Sequence, residues 1–206
     1  MLDSEGFDLW ADGYDKSVGW SDEDDTYPFA GYKKVLNRIY KEVLSRQKVR
    51  VLDIGFGTGT LTARLYEQGC RIWGVDFSPR MLEAAKKKMP DANLFQWDFS
   101  KGLPEEIKGQ TYDDIIATYS LHHLTDEEKV LFVKELLGLL KEKGKILIGD
   151  VAFENRRELE VCKMTSQEEW DDDEIYFVYD EFKESLPCKV SFQKISHCAG
   201  IFILEK

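Results

Sequence analysis

Residues 51–59 read VLDIGFGTG, a short apolar run that continues directly into three alternate glycines. This pattern predicts a strand followed by a tight turn whose backbone approaches a ligand closely. In an open parallel sheet, such a turn lies at the carboxyl end of a strand, where nucleotides bind. A dinucleotide fingerprint needs glycine at position 60, which is Thr60, and the charge of Asp53 would repel a pyrophosphate. The turn therefore favours a cationic ligand, such as one that carries an amino group and a sulfonium.

Around this turn, apolar strand-like runs alternate with helix-like segments. Ser78 and Pro79 predict the start of one helix, and a capping box at Thr125 and Glu128 predicts another. The alternation predicts an α/β fold in which helices cover both faces of a mostly parallel sheet. Two strands after residue 188, joined by a short connection, predict an antiparallel hairpin at the sheet edge. The predicted strands are 49–54, 71–76, 93–96, 112–118, 145–150, 189–195 and 200–205, and the predicted helices are 32–44, 61–68, 79–89, 126–141, 155–163 and 179–185.

Two further acidic residues stand at the ends of predicted strands. Asp76 follows Gly59 by 17 residues (76 − 59), a position at which a carboxylate accepts hydrogen bonds from both hydroxyls of a ribose. Asp98 ends the third strand and is placed to accept from an adenine amino group, with Trp97 or Phe99 as a stacking surface. A single strand-end aspartate is often only a helix N-cap. Three in order behind a glycine turn predict an adenosine site.

This combination resembles the class I S-adenosylmethionine-dependent methyltransferases over roughly residues 47–205. The turn at 53–59 is similar to their first motif, and Asp76 and Asp98 are similar to their ribose-side and adenine-side acids. The resemblance implies a Rossmann-like sheet of seven strands in the order 3-2-1-4-5-7-6, with the last strand antiparallel. Within the family, WADGYD at 10–15 and ISHCAG at 195–200 are similar to the small YrrT-like methyltransferases.

The resemblance implies a methyl donor, S-adenosyl-L-methionine, and a set of residues around it. In-line displacement then moves the methyl group to an acceptor, and positioning supplies most of the catalysis. For a catalytic role we consider His122 and His123 after strand four, and Tyr14 in an N-terminal lid. A histidine there could deprotonate a thiol, hydroxyl or amine; equally, it could cap the loop or stack on the adenosine, and Tyr14 could be core packing. The implied cofactor-binding residues are Asp53, Gly55, Gly57, Gly59, Asp76, Phe77, Met81, Asp98, Phe99 and Tyr119.

Two features of the sequence favour a small molecule as the methyl acceptor. Residues 118–121 read TYSL, without the Pro-Pro turn that is typical of amino-directed nucleic-acid methyltransferases. The net charge of −11, from 28 basic and 39 acidic residues, disfavours nucleic acid as a partner. A non-catalytic regulatory protein that binds S-adenosylmethionine or S-adenosylhomocysteine (SAH) would share the same motifs and is the alternative. A nicotinamide oxidoreductase is disfavoured by Thr60 and Asp53.

Composition and spacing set the remaining expectations. Because no run of 18 apolar residues occurs and residues 1–17 lack an apolar signal region, we expect a cytoplasmic protein without a membrane partner. The three histidines show no ligand spacing, and we interpret the acidic stretches 22–25 and 171–174 as exposed loops, so we expect no metal site. We expect a lid or cap over residues 1–46, a methyl-donor domain over 47–206, and a monomer or homodimer.

Overall fold

The structure is a computed structural model, and it describes residues 26–47 and 49–206. Within these ranges the chain alternates strands and helices, as the sequence predicts. The strands are β1 (Arg50–Ile54), β2 (Arg71–Asp76), β3 (Asn93–Gln96), β4 (Tyr112–Thr118), β5 (Leu140–Phe153), β6 (Phe177–Val178), β7 (Lys189–Lys194) and β8 (Ala199–Glu205). The helices are α1 (Tyr32–Val43), α2 (Thr62–Glu67), α3 (Pro79–Lys88), α4 (Glu105–Lys108), α5 (Asp126–Leu139), α6 (Arg156–Thr165) and α7 (Tyr179–Glu184), with 3-10 turns at Phe99–Lys101 and Leu121–His123.

The strands form one sheet in the order β3-β2-β1-β4-β5-β8-β7. The pairs from β3 to β5 are parallel, whereas β8 runs antiparallel to both β5 and β7. This confirms the predicted α/β fold and the reversed hairpin at one edge. The predicted number of seven strands is wrong, because β6 also pairs with β5. β5 runs to Phe153, beyond its last β8 partner at Val151, and the two residues that extend further pair with β6.

The local sequence signals at the helix starts are present in the structure. Ser78 accepts a hydrogen bond from the Met81 amide at 3.2 Å, with Pro79 as the first residue of α3. At α5, Thr125 and Glu128 form the reciprocal capping box, with bonds of 3.2 and 2.8 Å. α5 ends two residues before the predicted Lys141, because Leu140 already pairs with Tyr112 in the sheet. In the described ranges, no helix combines the length and apolar character that a bilayer span requires.

Helix α1 packs directly on the sheet. Its residues Val35, Leu36, Ile39 and Val43 are buried. They meet the sheet at Gly149 of β5, where an added Cβ would lie 2.4 Å from Val35 Cγ1 and 2.9 Å from Ile39 Cδ1. The described part of the N-terminal segment therefore shares the core of the sheet. The lid function and the boundary at residues 46 and 47 stay predictions.

Arg46, just beyond α1, holds a buried carboxylate of β4. Its guanidinium forms an ion pair with Asp114 and donates to the Lys143 carbonyl at 3.1 Å. Burial raises the pKa of Asp114 to about 7, although the nearby Arg46 acts to lower it. An acid whose folded pKa exceeds its unfolded value near 4 loses stability as the pH rises between these two values. Above pH 7 the Asp114 carboxyl is ionised, so the folded state depends most on its ion pair with Arg46 there.

We expect Arg46→Met to lower the free energy of unfolding by about 3 kcal/mol at pH 8, because it leaves a buried charge without its partner. The loss should be clearly smaller at pH 5, where Asp114 is protonated in the folded state. Urea unfolding at both pH values measures this. Arg64→Met, on the exposed side of α2, is the matched control and should cost less than about 0.5 kcal/mol. An equal loss for Arg46→Met at pH 5 and pH 8 would contradict the assignment.

Candidate functional site

A cavity of about 730 Å³ opens at the carboxyl ends of β1, β2 and β4. β1 lies between β2 and β4, so the cavity is at the point where the strand order reverses. His123 is the one predicted catalytic residue on its wall among the described residues, and Tyr14 lies outside them. Gly59 is the single predicted cofactor residue that does not line it. The others do: Asp53, Gly55, Gly57, Asp76, Phe77, Met81, Asp98, Phe99 and Tyr119.

The three glycines of the turn have different surroundings. All have positive φ angles, of +72° at Gly55, +55° at Gly57 and +77° at Gly59. An added Cβ would lie 2.5 Å from Ser120 Cβ at Gly55 and 3.0 Å from Met89 Cε at Gly59, whereas at Gly57 it would meet nothing within 4 Å. Gly55 and Gly59 therefore allow close packing of the protein on itself. Gly57 leaves its backbone open to the cavity.

Asp76 connects the glycine turn to the start of α3. Its Oδ2 accepts a hydrogen bond from the Gly57 amide at 2.8 Å, and its Oδ1 accepts from the Ser78 amide at 3.0 Å. The buried carboxylate at the end of β2 thus fixes the turn and also lies on the cavity wall.

Asp53 is a buried acid with one unsatisfied oxygen. Thr62 donates its hydroxyl to Asp53 Oδ2, while Oδ1 is buried without a hydrogen-bond partner in the described part of the chain. Burial is the main cause that raises the pKa of Asp53 to about 7; the Thr62 hydrogen bond opposes this, and the charge of Asp76 adds to it. A cationic group in the cavity beside Asp53 would favour the carboxylate form.

Asp98 has a structural role as well as a position on the cavity wall. It caps the 3-10 turn by accepting from the Ser100 amide at 3.1 Å, and it pairs with Lys101 at 2.9 Å. Burial acts to raise the pKa of Asp98, but the hydrogen bonds from Ser100 and Lys101 outweigh burial and lower it. Trp97 lies beside it on the wall and is 40% exposed. Asp98 can therefore cap the 3-10 turn and also lie beside an adenine in the cavity.

The two histidines after β4 have different environments. His123 lines the cavity, and burial, together with the adjacent His122, lowers its pKa to about 3. His122 is not among the residues that line the cavity, and its Nδ1 lies 2.6 Å from Asp150 Oδ1. Burial acts to lower the pKa of His122, but the charges of Asp150 and Glu174 outweigh it and raise the pKa. Only His123 of this pair reaches the cavity, and it is neutral at pH 7.

Sequence reasoning missed two residues of α1 on the cavity wall, Tyr32 and Leu36. The Tyr32 ring packs 5.1 Å from the ring of Tyr119, whose backbone has a positive φ of +51° and donates to the Gly149 carbonyl at 2.8 Å. The helical period of residues 32–44 predicts a buried face but does not specify what that face covers. No signal in the sequence alone could have assigned these residues to the cavity.

The comparisons with known proteins agree that the chain is similar to methyltransferases. Residues 51–144 match the family model of a methyltransferase domain. The chain is 40% identical over 152 residues to an uncharacterized methyltransferase of Geobacillus sp. strain WCH70, over 73% of this chain and 68% of the relative. Among solved structures, the DhpI–SAH complex is similar with a TM-score of 0.72 at 17% identity, over 98% of this chain and 94% of that one.

A second solved structure shares the fold. It is the magnesium protoporphyrin IX methyltransferase of Synechocystis PCC 6803 with bound SAH, with a TM-score of 0.65 at 16% identity, covering 86% of this chain and 85% of that one. At 16–17% identity these two solved structures show only that the fold is shared. The Geobacillus relative, at 40% identity, shows the family.

Proposed function

Since this chain belongs to the class I S-adenosylmethionine-dependent methyltransferases, we propose that it methylates a small-molecule acceptor bound in the cavity at the ends of β1, β2 and β4. The observation that supports this proposal most directly is Asp53, a buried acid that lines the cavity and whose Oδ1 has no hydrogen-bond partner in the described part of the chain. A buried acceptor atom without a partner is costly, and a ligand with a cationic amino group removes this cost. S-adenosylmethionine has such a group.

Other residues of the cavity also fit this donor. The Asp76 carboxylate lies on the cavity wall, where it can accept hydrogen bonds from the ribose hydroxyls, and Gly57 lets the backbone approach the ligand because it has no side chain. Phe77 and Phe99 provide apolar wall for an adenine, with Asp98 at its edge. Asp53 would bind the amino group of the donor. The role of all these residues in donor binding is part of the proposal.

The chain contributes to the reaction mainly by positioning. When bound, the donor supplies a methyl group on a sulfonium, which is already activated for displacement. Holding the reacting groups in line supplies on the order of 7–11 kcal/mol of the barrier. His123 is neutral and, with its pKa near 3, is a weak proton acceptor. It therefore orients an acceptor by a hydrogen bond and does not fully deprotonate it.

Size and charge support a small acceptor. A cavity of about 730 Å³ lies within the usual range of roughly 300–1,000 Å³ for small-molecule sites, and the donor fills part of it. The net charge of −11 disfavours a nucleic-acid partner. One structural neighbour is named for a small molecule, magnesium protoporphyrin IX. We also propose a cytoplasmic location, which agrees with four free cysteines; the assembly as a monomer or homodimer stays a prediction.

A labelled-methyl transfer screen tests the proposal. The purified protein is incubated with labelled S-adenosylmethionine and panels of thiols, amines, hydroxyl compounds and carboxylates, with SAH as the inhibitor. Asp76→Ala serves as the control for cofactor-dependent label. We expect transfer to one small-molecule class that SAH suppresses. Label that enters only protein or RNA would contradict a small acceptor, and donor binding without transfer to any acceptor would contradict catalysis.

The pKa of Asp53 leads to a separate prediction about how donor binding depends on pH. Because its pKa is about 7 in the free protein, Asp53 is mostly protonated at pH 6, and binding of the cationic donor favours the carboxylate. We expect binding at pH 6 to release up to one proton, and the affinity to rise with pH up to about 7. Calorimetry in two buffers of different ionisation enthalpy counts the protons. Asp53→Asn should abolish the release; an unchanged proton count in that variant would show that another group titrates.

A further inference from the structure

Three side chains of the type that ligates metals meet at the edge of the cavity: His122, His123 and Glu174. One ligand atom of each lies within 4.8 Å of the others, and His122 Nε2 is 3.5 Å from Glu174 Oε1. Zinc bonds of about 2.0–2.2 Å in a tetrahedral site place neighbouring ligand atoms roughly 3.4 Å apart. The separation of His122 Nε2 and Glu174 Oε1 matches this spacing, and the 4.8 Å limit of the whole set means that the ligands draw closer when a cation binds.

His122 is oriented for this task by a buried carboxylate. Asp150 is fully buried, and its oxygens accept from the amides of Leu121 at 3.2 Å and Val151 at 2.8 Å, which fixes the position of its carboxylate within β5. Its Oδ1 lies 2.6 Å from His122 Nδ1. With Nδ1 bonded to this carboxylate, Nε2 is the nitrogen that faces Glu174, and a cation bound there would replace the Nε2 proton. Metal-binding histidines are almost always supported in this way.

Glu174 is held equally firmly from the other side. Its Oε2 accepts from the Tyr176 hydroxyl at 2.8 Å, so Oε1 is the oxygen that faces His122. The next residue anchors the backbone, because the Ile175 amide donates to the His122 carbonyl at 2.8 Å, and the buried Lys129 donates to the Ile175 carbonyl. The segment around residue 174 is thus attached to the 3-10 turn that carries both histidines.

We propose that His122, His123 and Glu174 bind one divalent transition-metal cation at the boundary of the methyl-donor cavity. Two imidazole nitrogens and one carboxylate suit Zn²⁺, Co²⁺, Ni²⁺ or Fe²⁺, whereas Ca²⁺ and Mg²⁺ require more oxygen ligands. His123 belongs to both the cluster and the cavity wall. A cation there lowers the pKa of a water or acceptor hydroxyl bound to it; this role rests on the proposed function, but metal binding itself does not.

Metal titration of the full chain, freed of metal by a chelator, tests the site without any methyl-transfer assay. We titrate the chain with Co²⁺ and follow the visible absorption bands of the bound ion, then displace Co²⁺ with Zn²⁺. We expect one Co²⁺ per chain. Glu174→Gln and His122→Asn should each weaken Co²⁺ binding at least tenfold, and Asp150→Asn should weaken it by about 10–100-fold through the orientation of His122.

The third histidine of the chain provides the control. His197 is exposed in the β7–β8 connection, so His197→Asn should bind Co²⁺ as the unchanged protein does. Glu174 is partly exposed, and thermal unfolding should show that Glu174→Gln keeps the fold. Absence of one-to-one Co²⁺ binding would overturn the proposal, as would affinity that Glu174→Gln and His122→Asn leave unchanged. The cluster would then be a charged hydrogen-bond network only.

Discussion

Replacing Asp76 by alanine is expected to weaken binding of S-adenosylmethionine or SAH by roughly 100-fold or more. The carboxylate is buried and is the proposed acceptor for two ribose hydroxyls, and charge-assisted hydrogen bonds contribute about 1.5–3 kcal/mol each. Its removal also releases the amides of Gly57 and Ser78, which shape the turn. Calorimetric titration with SAH measures the change.

Two other acids serve as controls for this prediction. Asp98→Ala should have a smaller effect, about tenfold, because the carboxylate is partly exposed and already engaged by Ser100 and Lys101. Asp91→Ala should have none, because Asp91 is exposed and bonds to Tyr66 away from the cavity. Asp76→Asn keeps the shape of the side chain and separates lost charge from lost packing. If Asp76→Ala binds within threefold of the unchanged protein, the ribose assignment is wrong.

Gly57→Val is expected to abolish detectable donor binding while the protein stays folded. A Cβ added at position 57 meets nothing within 4 Å, and Gly57 lines the cavity, so a valine side chain there extends into the space where the donor is proposed to lie. Its positive φ of +55° costs a residue with a Cβ roughly 1–2 kcal/mol, which a folded domain tolerates. Calorimetry with SAH and thermal unfolding measure the two effects separately.

The matched control for this variant is Gly69→Val. Gly69 has a positive φ of +84°, and an added Cβ there also meets nothing within 4 Å. It follows α2, however, and does not line the cavity. Gly69→Val should therefore lose similar stability and keep full SAH affinity. Retained SAH affinity in Gly57→Val would mean that the glycine turn does not approach the ligand.

The fold was predictable because its determinants are local. The strand at 51–54, the caps at Ser78 and Thr125, and the reversed hairpin all depend on patterns within a few residues. The missed strand β6 has only two residues, and its pairing follows from how far β5 extends beyond β8. Such pairing is decided by tertiary packing, which a short sequence window does not contain.

The candidate site was predictable where a motif specifies backbone geometry, and not where distant segments meet. Strand-end positions were enough to place Asp53, Asp76 and Asp98 on one cavity. The sequence could not distinguish the two histidines, because neighbouring side chains in a 3-10 turn point in different directions and each direction depends on packing. Glu174 lies 51 residues beyond His123 (174 − 123) in an acidic stretch, and only the fold brings them together.

Gly149 lies behind the cavity rather than in it. Because it has no side chain, α1 sits close enough to the sheet for Tyr32 and Leu36 to form part of the wall, and its carbonyl also fixes the backbone of Tyr119. A larger residue at 149 would displace the helix and reshape the chamber from outside. Mutagenesis that aims to change the acceptor should therefore include residues behind the wall, such as Gly149, as well as those that contact the substrate.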